Sequence, residues 1–249
     1  LVLAGTKAPV SFFAYPDKPS VLAPEVATQC TLVDQGSDAL DALKRLADTL
    51  GAPAAPEVVT DHADYPLGDG AIDANELGKV IANRLPEHAI VCDEAATNGL
   101  GAFLLTTNAP PHDWLTLTGG AIGQGLPLAV GAAIACPDQK VIALEADGSG
   151  MYTVQALWTM VREQLDITVV LLNNRSYAIL NIELSRVGVE QPGPTALSLL
   201  DLSNPDLEWT DIARGMGMQA LKVETVAAFD QAFADATAQK GPCLIEVML

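Results

Sequence analysis

Apolar and polar positions follow two rhythms along this chain. From about residue 73, short continuously apolar runs alternate with longer stretches of helical spacing. The order predicts a helix over 75–85, strands over 89–92 and 114–117, and a helix over 126–135. A strand over 141–146, a helix over 151–164 and a strand over 167–172 come next. After an irregular stretch over 187–205 the pattern resumes with helix 211–216, strand 219–223, helix 226–239 and strand 243–248. Runs such as Thr168-Val169-Val170-Leu171-Leu172 have no polar face, so they require burial on both sides. The expected fold class is α/β, a doubly wound parallel sheet with helices on both faces.

The first 52 residues are a smaller piece of similar character. A strand is expected over 1–4 or 10–14, a short apolar run at Thr31-Leu32-Val33, and a helix over 37–50 with Leu40, Leu43, Leu46, Ala47 and Leu50 on one stripe. Residues 53–72 are rich in Pro, Ala, Gly and Asp without apolar period, and read as a linker. The expected organisation is a fragment of one α/β domain over 1–52, a linker, and a second domain over 73–249. The chain opens inside an apolar run without a methionine, as expected of a piece of a longer polypeptide.

Composition narrows the function classes. Thirteen Lys plus Arg against thirty-one Asp plus Glu give a net charge of −18, which repels a phosphate backbone, so no nucleic-acid partner is expected. No apolar run approaches the roughly 20 residues that cross a bilayer, so no membrane partner is expected either. Four scattered cysteines and three histidines supply neither a zinc set nor a disulfide framework, and a reduced, cytoplasmic compartment fits best.

Open parallel sheets bind ligands at the carboxyl ends of their strands. Three segments occupy such places: Asp93 to Asn98, Asp147-Gly148-Ser149-Gly150, and Asn173 to Tyr177. Asp147 follows one buried strand and Asn174 the next, across a single helical crossover, which brings the two to one edge. A carboxylate, an amide oxygen and a backbone carbonyl from the turn after Asn174 form a hard oxygen half-shell for Mg²⁺ or Ca²⁺ that phosphate oxygens would complete. The same residues are also common in plain turns, and their joint placement is what favours a metal diphosphate site. An EF-hand loop, a serine-hydrolase elbow, and the Walker and Rossmann phosphate loops are all absent.

The Asp147-Gly148-Ser149 to Asn173-Asn174 element resembles the signature of thiamine diphosphate enzymes. Residues 73–249 are similar throughout to the diphosphate-binding domain of the decarboxylase and acetolactate synthase group, and residues 1–52 to the tail of that group's middle domain. The resemblance implies thiamine diphosphate and Mg²⁺ as cofactors, with Asp147, Asn174 and the backbone oxygen of Ser176 as metal ligands. It implies that Gly120 receives the cofactor's amino group, that Ile122 props the cofactor into a bent shape, and that Thr97, Gly148 and Ser149 contact the diphosphate. It also implies a small 2-oxo acid as substrate, with loss of CO₂ and protonation of the product or its addition to a second carbonyl. A homo-oligomer, dimer or tetramer, is implied as well.

The sequence departs from the family in places. Ala146 stands where Gly is usual before the metal Asp. Ile179-Leu180-Asn181-Ile182-Glu183 replaces the Gln-Trp pair of acetolactate synthases. Met151-Tyr152, the turn ending at Leu180 and Lys240-Gly241-Pro242 look most like benzoylformate decarboxylase, in which the positions of Ile179, Leu180 and Glu183 line the substrate pocket. Glu183 in place of an aromatic argues against an aryl substrate. An acetolactate synthase-like carboligase and a non-catalytic, cofactor-binding or regulatory partner remain alternatives. No catalytic residue is assigned in this chain, because the family's activating Glu lies on a pyrimidine-binding domain. His112 is read as a loop residue or a substrate-facing acid or base, His62 and His88 as solvated, Tyr152 and Trp158 as packing, and Arg175 as either a phosphate partner or a surface residue.

Overall fold

The computed structural model describes residues 1–58 and 64–249. The expectation for His62 falls outside them. Contacts divide the chain into two compact units, Leu1–Thr60 with Leu184–Glu190, and Asp61–Glu183 with Gln191–Leu249.

In the first unit β1 (Val2–Ala4) and β2 (Cys30–Val33) pair in parallel, and α1 (Ala39–Leu50) follows them. Asp38 caps α1 by accepting the Asp41 amide, and Gly51 ends it in a left-handed conformation, φ 63°. The stripe expected to pack is largely open. Only Ala42 is buried on α1, while Leu40, Leu43 and Leu50 are exposed, since two short strands offer too little surface to cover a twelve-residue helix. Val10 makes an isolated bridge to Val21 and no strand.

The second unit is a six-stranded, wholly parallel sheet. Its elements in chain order are α2 (Ala74–Arg84), β3 (Ile90–Asp93), α3 (Leu100–Leu105), β4 (Asp113–Thr116), α4 (Gly125–Ala135), β5 (Val141–Ala146) and α5 (Asp147–Gly150). Then come α6 (Ala156–Arg162), β6 (Ile167–Asn173), α7 (Ala178–Arg186, whose residues from Leu184 on count with the first unit), α8 (Pro194–Ser198), α9 (Trp209–Gly215), β7 (Gln219–Val223), α10 (Val226–Ala238) and β8 (Cys243–Met248). The strand order is β4-β3-β5-β6-β8-β7. Alternate residues along each strand feed opposite layers. Leu144, Val170 and Ile245 pack toward α2 and α10, and Ala143, Val169 and Leu244 pack toward α4, α6 and α9. The doubly wound α/β architecture is therefore the observed one.

Phe229 and Phe233 on α10 are fully buried, with ring centroids 5.7 Å apart, against the first of these layers. Truncating Phe233 to Ala should cost about 3–5 kcal/mol, read as a lowered midpoint in chemical denaturation. An unchanged midpoint would mean that this layer does not carry the core.

The connection after β3 runs outward to β4, and the chain then returns across β3 to β5. The sheet's switch point, where a crevice opens at the strand ends, thus lies between β3 and β5.

Three expectations need correction. The helix predicted over 151–164 is confined to Ala156–Arg162, preceded by the four-residue α5 and a run of turns, in which the amides of Tyr152, Thr153 and Ala156 bond to carbonyls three residues back and the Thr153 hydroxyl donates to the Gly123 carbonyl at 2.9 Å. Helices α7 and α8 occupy stretches without a predicted element; neither contains a buried residue, so neither leaves an apolar stripe. Tyr152 and Trp158 are not packing residues: both are more than half exposed, and Trp158 lies under the Arg162 guanidinium.

Candidate functional site

The carboxyl ends of β3, β5 and β6 surround a cavity of about 90 Å³. Asp147, Gly148 and Ser149 line it from the end of β5, Asn174 and Ser176 from the turn after β6, and Thr97 from the loop after β3. Ile122 and Ile179 close its apolar side. Eight of the residues singled out in the sequence thus meet at one place. Gly120, Leu180 and Glu183 do not line the cavity; Gly120 lies in an exposed turn and Leu180 and Glu183 further along α7.

Local backbone geometry brings these oxygen donors together. Asp147 is 2% exposed, and its carboxylate accepts the Gly148 amide at 2.9 Å while the amides of Arg175 and Ser176 face it. The Asp147 carboxylate and the Asn174 turn therefore share one side. Arg175 sits at φ 56°, a left-handed residue that turns the chain sharply, and the Asn174 side-chain oxygen accepts the Ser176 amide at 3.0 Å. Residues 200–202 back this turn: Tyr177 donates to the Leu200 carbonyl and Leu202 to the Arg175 carbonyl, both at 2.9 Å. In the isolated antiparallel Ser176–Asp201 bridge the bonding groups belong to Arg175 and Tyr177, so the Ser176 amide and carbonyl both point away from residues 200–202, the amide toward the Asn174 side-chain oxygen.

Burial pushes the Asp147 carboxyl up to about 6, against the opposing pull of the surrounding amides. Its Oδ2 is fully buried with no hydrogen-bond partner. A buried carboxylate oxygen without a donor is costly unless a cation meets it. The donor set of carboxylate, amide oxygen and backbone carbonyl fits Mg²⁺, with the rest of the shell left to water and phosphate. Among the described residues no three His, Cys, Asp or Glu side chains group as a metal site.

A second constellation lies directly beneath and escaped the sequence reading. Glu94, at the end of β3, is 3% exposed, and Glu145, on β5, is fully buried. Glu94 accepts the amides of Gly123 and Gly125, one on each oxygen, while Glu145 accepts the Ser149 hydroxyl. Gly125 is required by this packing, since a Cβ there would lie 2.9 Å from Glu94 Oε2 and closer still to Glu145 Oε2. Burial first, and the Glu94 charge second, push the Glu145 carboxyl up to about 8, which favours a proton on Glu145 at neutral pH. The available signal was a glutamate inside the otherwise apolar run Val141-Ile142-Ala143-Leu144-Glu145-Ala146.

The remaining candidates are peripheral. His112 Nδ1 lies 2.7 Å from the Pro110 carbonyl, His88 is an exposed residue at φ 62° beside Glu87, and Arg175 pairs with Asp206 at 3.4 Å.

Comparison with known proteins decides the family. Residues 94–247 match the family described as thiamine pyrophosphate enzyme, C-terminal TPP binding domain. The chain belongs to the thiamine pyrophosphate enzymes. Across 251 aligned residues it is 49% identical to a Mycobacterium tuberculosis protein named "Putative acetolactate synthase large subunit IlvX", covering 100% of this chain and 48% of that one. It is 30% identical to the benzoylformate decarboxylase of Pseudomonas aeruginosa over 72% of this chain and 32% of the relative. The chain therefore spans about half the length, or less, of these relatives. Among solved structures, the thiamine diphosphate-dependent 4-hydroxybenzoylformate decarboxylase of Rhodococcus jostii RHA1 matches with a TM-score of 0.75 at 23% identity. That match covers 97% of this chain and 47% of the other, and it establishes the shared fold.

Proposed function

We propose that this chain holds thiamine diphosphate through Mg²⁺ bound by Asp147, Asn174 and the Ser176 carbonyl, and so supplies the diphosphate-binding half of a site for decarboxylation or carboligation of a small 2-oxo acid. The observation that carries this reading is the partnerless, buried Asp147 Oδ2 lining one cavity with Asn174 and Ser176. The bound cofactor would supply the electron sink on which a 2-oxo acid loses CO₂. The chain's own residues bind and orient. Thr97, Gly148 and Ser149 line the cavity beside these oxygen donors, and Gly148 cannot be enlarged because a Cβ would run into the Tyr177 ring. Ile122, a half-exposed apolar side chain at the cavity, offers a wedge for the cofactor rings and excludes water beside them.

Two reactions follow from the same site. A benzoylformate decarboxylase-like outcome is supported by the segment leading into Ile179, and acetolactate formation by the name of the mycobacterial relative that matches the whole chain. Incubation with thiamine diphosphate, Mg²⁺ and either benzoylformate or pyruvate, followed by assay of CO₂ and acetolactate, separates them. Calorimetry on the same samples should show cofactor binding that EDTA abolishes. Binding without turnover would favour a non-catalytic partner or a site completed by another subunit, and no binding at all would refute the proposal.

A further inference from the structure

The turn that carries Gly120 and Ile122 is built from unfavourable backbone. Gly119, Gly120 and Gly123 all have positive φ, at 62°, 70° and 88°. Glycines lose more conformational freedom on ordering than other residues, so such a turn keeps one shape only if outside contacts hold it. The Gln124 side chain supplies one contact, accepting the Thr118 amide at 3.1 Å, but it is only part-buried. The buried contact is Glu94. Its two carboxylate oxygens take the Gly123 and Gly125 amides, at the end of the turn and the start of α4. Glu94 also lines the cavity itself, just before Thr97, so it is fixed to the strand that carries the diphosphate loop.

This arrangement rests on the cofactor assignment above and extends it. We propose that Glu94 is a positioning residue, whose buried carboxylate, by clamping the Gly123 and Gly125 amides, sets the Gly119–Gly123 turn for the pyrimidine half of the cofactor more than it sets the diphosphate subsite, whose cavity it also lines. A carboxylate is needed because both facing groups are donors. A glutamine would turn its NH₂ toward one of the two amides, losing that bond and opposing two donors. An aspartate would fall one methylene short of reaching both.

The test is calorimetry on the full chain with two probes, Mg²⁺ with thiamine diphosphate and Mg²⁺ with inorganic pyrophosphate, comparing the wild type with Glu94→Gln. Pyrophosphate affinity should stay within about twofold, whereas thiamine diphosphate affinity should fall about tenfold, the scale of one lost charge-assisted hydrogen bond. Equal loss of both ligands would assign Glu94 a merely structural role and overturn the inference, as would no loss of either. If Glu94→Gln is insoluble, Glu94→Asp keeps the charge and is read by the same two titrations. Failure of the wild type to bind either probe would refute the cofactor assignment itself, an outcome distinct from both.

Discussion

Replacing Asp147 by Ala should abolish binding of Mg²⁺ and thiamine diphosphate while leaving the ligand-free chain at least as stable as the wild type. The two effects have opposite signs for one reason. Asp147 is 2% exposed, burial pushes its pKa up to about 6, and one of its oxygens has no donor. In the absence of a cation the side chain is a cost, because it keeps a carboxylate out of water with incomplete hydrogen bonding. With a cation it becomes the anionic ligand that an amide and a carbonyl cannot replace, and its loss should weaken cofactor affinity by at least about 100-fold. Thermal denaturation of the metal-free variant and calorimetry with the cofactor measure the two halves. A variant that binds normally would remove Asp147 from the metal shell. One that binds poorly and also melts well below the wild type would indicate lost folding and not a lost ligand.

The second large effect is a pH dependence of stability that originates at Glu145. Its pKa is raised in the folded chain, from 4.5 to about 8, chiefly by burial and then by the Glu94 charge. The folded state therefore binds this proton more tightly than the unfolded state does. Stability contributed by the group is full below pH about 4.5, falls as pH rises toward about 8, and levels off above that. Glutamine at position 145 can donate to Glu94 and accept from Ser149 with no proton to lose. Glu145→Gln should thus melt several degrees above the wild type at high pH, and the difference should shrink steadily toward pH 5. Melting curves of the metal-free proteins across that range check it, and parallel pH profiles would show that Glu145 carries no shifted proton.

How far such a site can be read without coordinates depends on whether its residues leave a pattern. Asp147 and Asn174 do, because each lies at the end of a largely apolar run and the parallel β5–β6 pairing brings such ends together. The sheet itself is legible for the same reason: strands buried on both faces carry no competing periodicity. Helix α7 leaves no trace, since none of its residues is buried and Ile179, Leu180 and Ile182 are dispersed around it. The Glu94–Glu145 pair is a matter of packing between β3, β5 and the start of α4, contacts that bridge dozens of residues. A glutamate within an apolar strand hints at a buried partner, but only the fold identifies that partner as Glu94. The helix predicted over 151–164 loses its first turn to i→i−3 turns, at which the Thr153 hydroxyl meets the carbonyl of Gly123, a loop residue thirty positions away.

Crystals grown with thiamine diphosphate and Mn²⁺ in place of Mg²⁺ test the metal site most directly, because an anomalous difference map reports the ion's position independently of any refined ligand. The expected result is a single strong peak about 2.2 Å from Asp147 Oδ2, the Asn174 side-chain oxygen and the Ser176 carbonyl, with diphosphate oxygens completing the shell. A peak elsewhere, or a diphosphate bound without an ion between it and Asp147, would contradict the account.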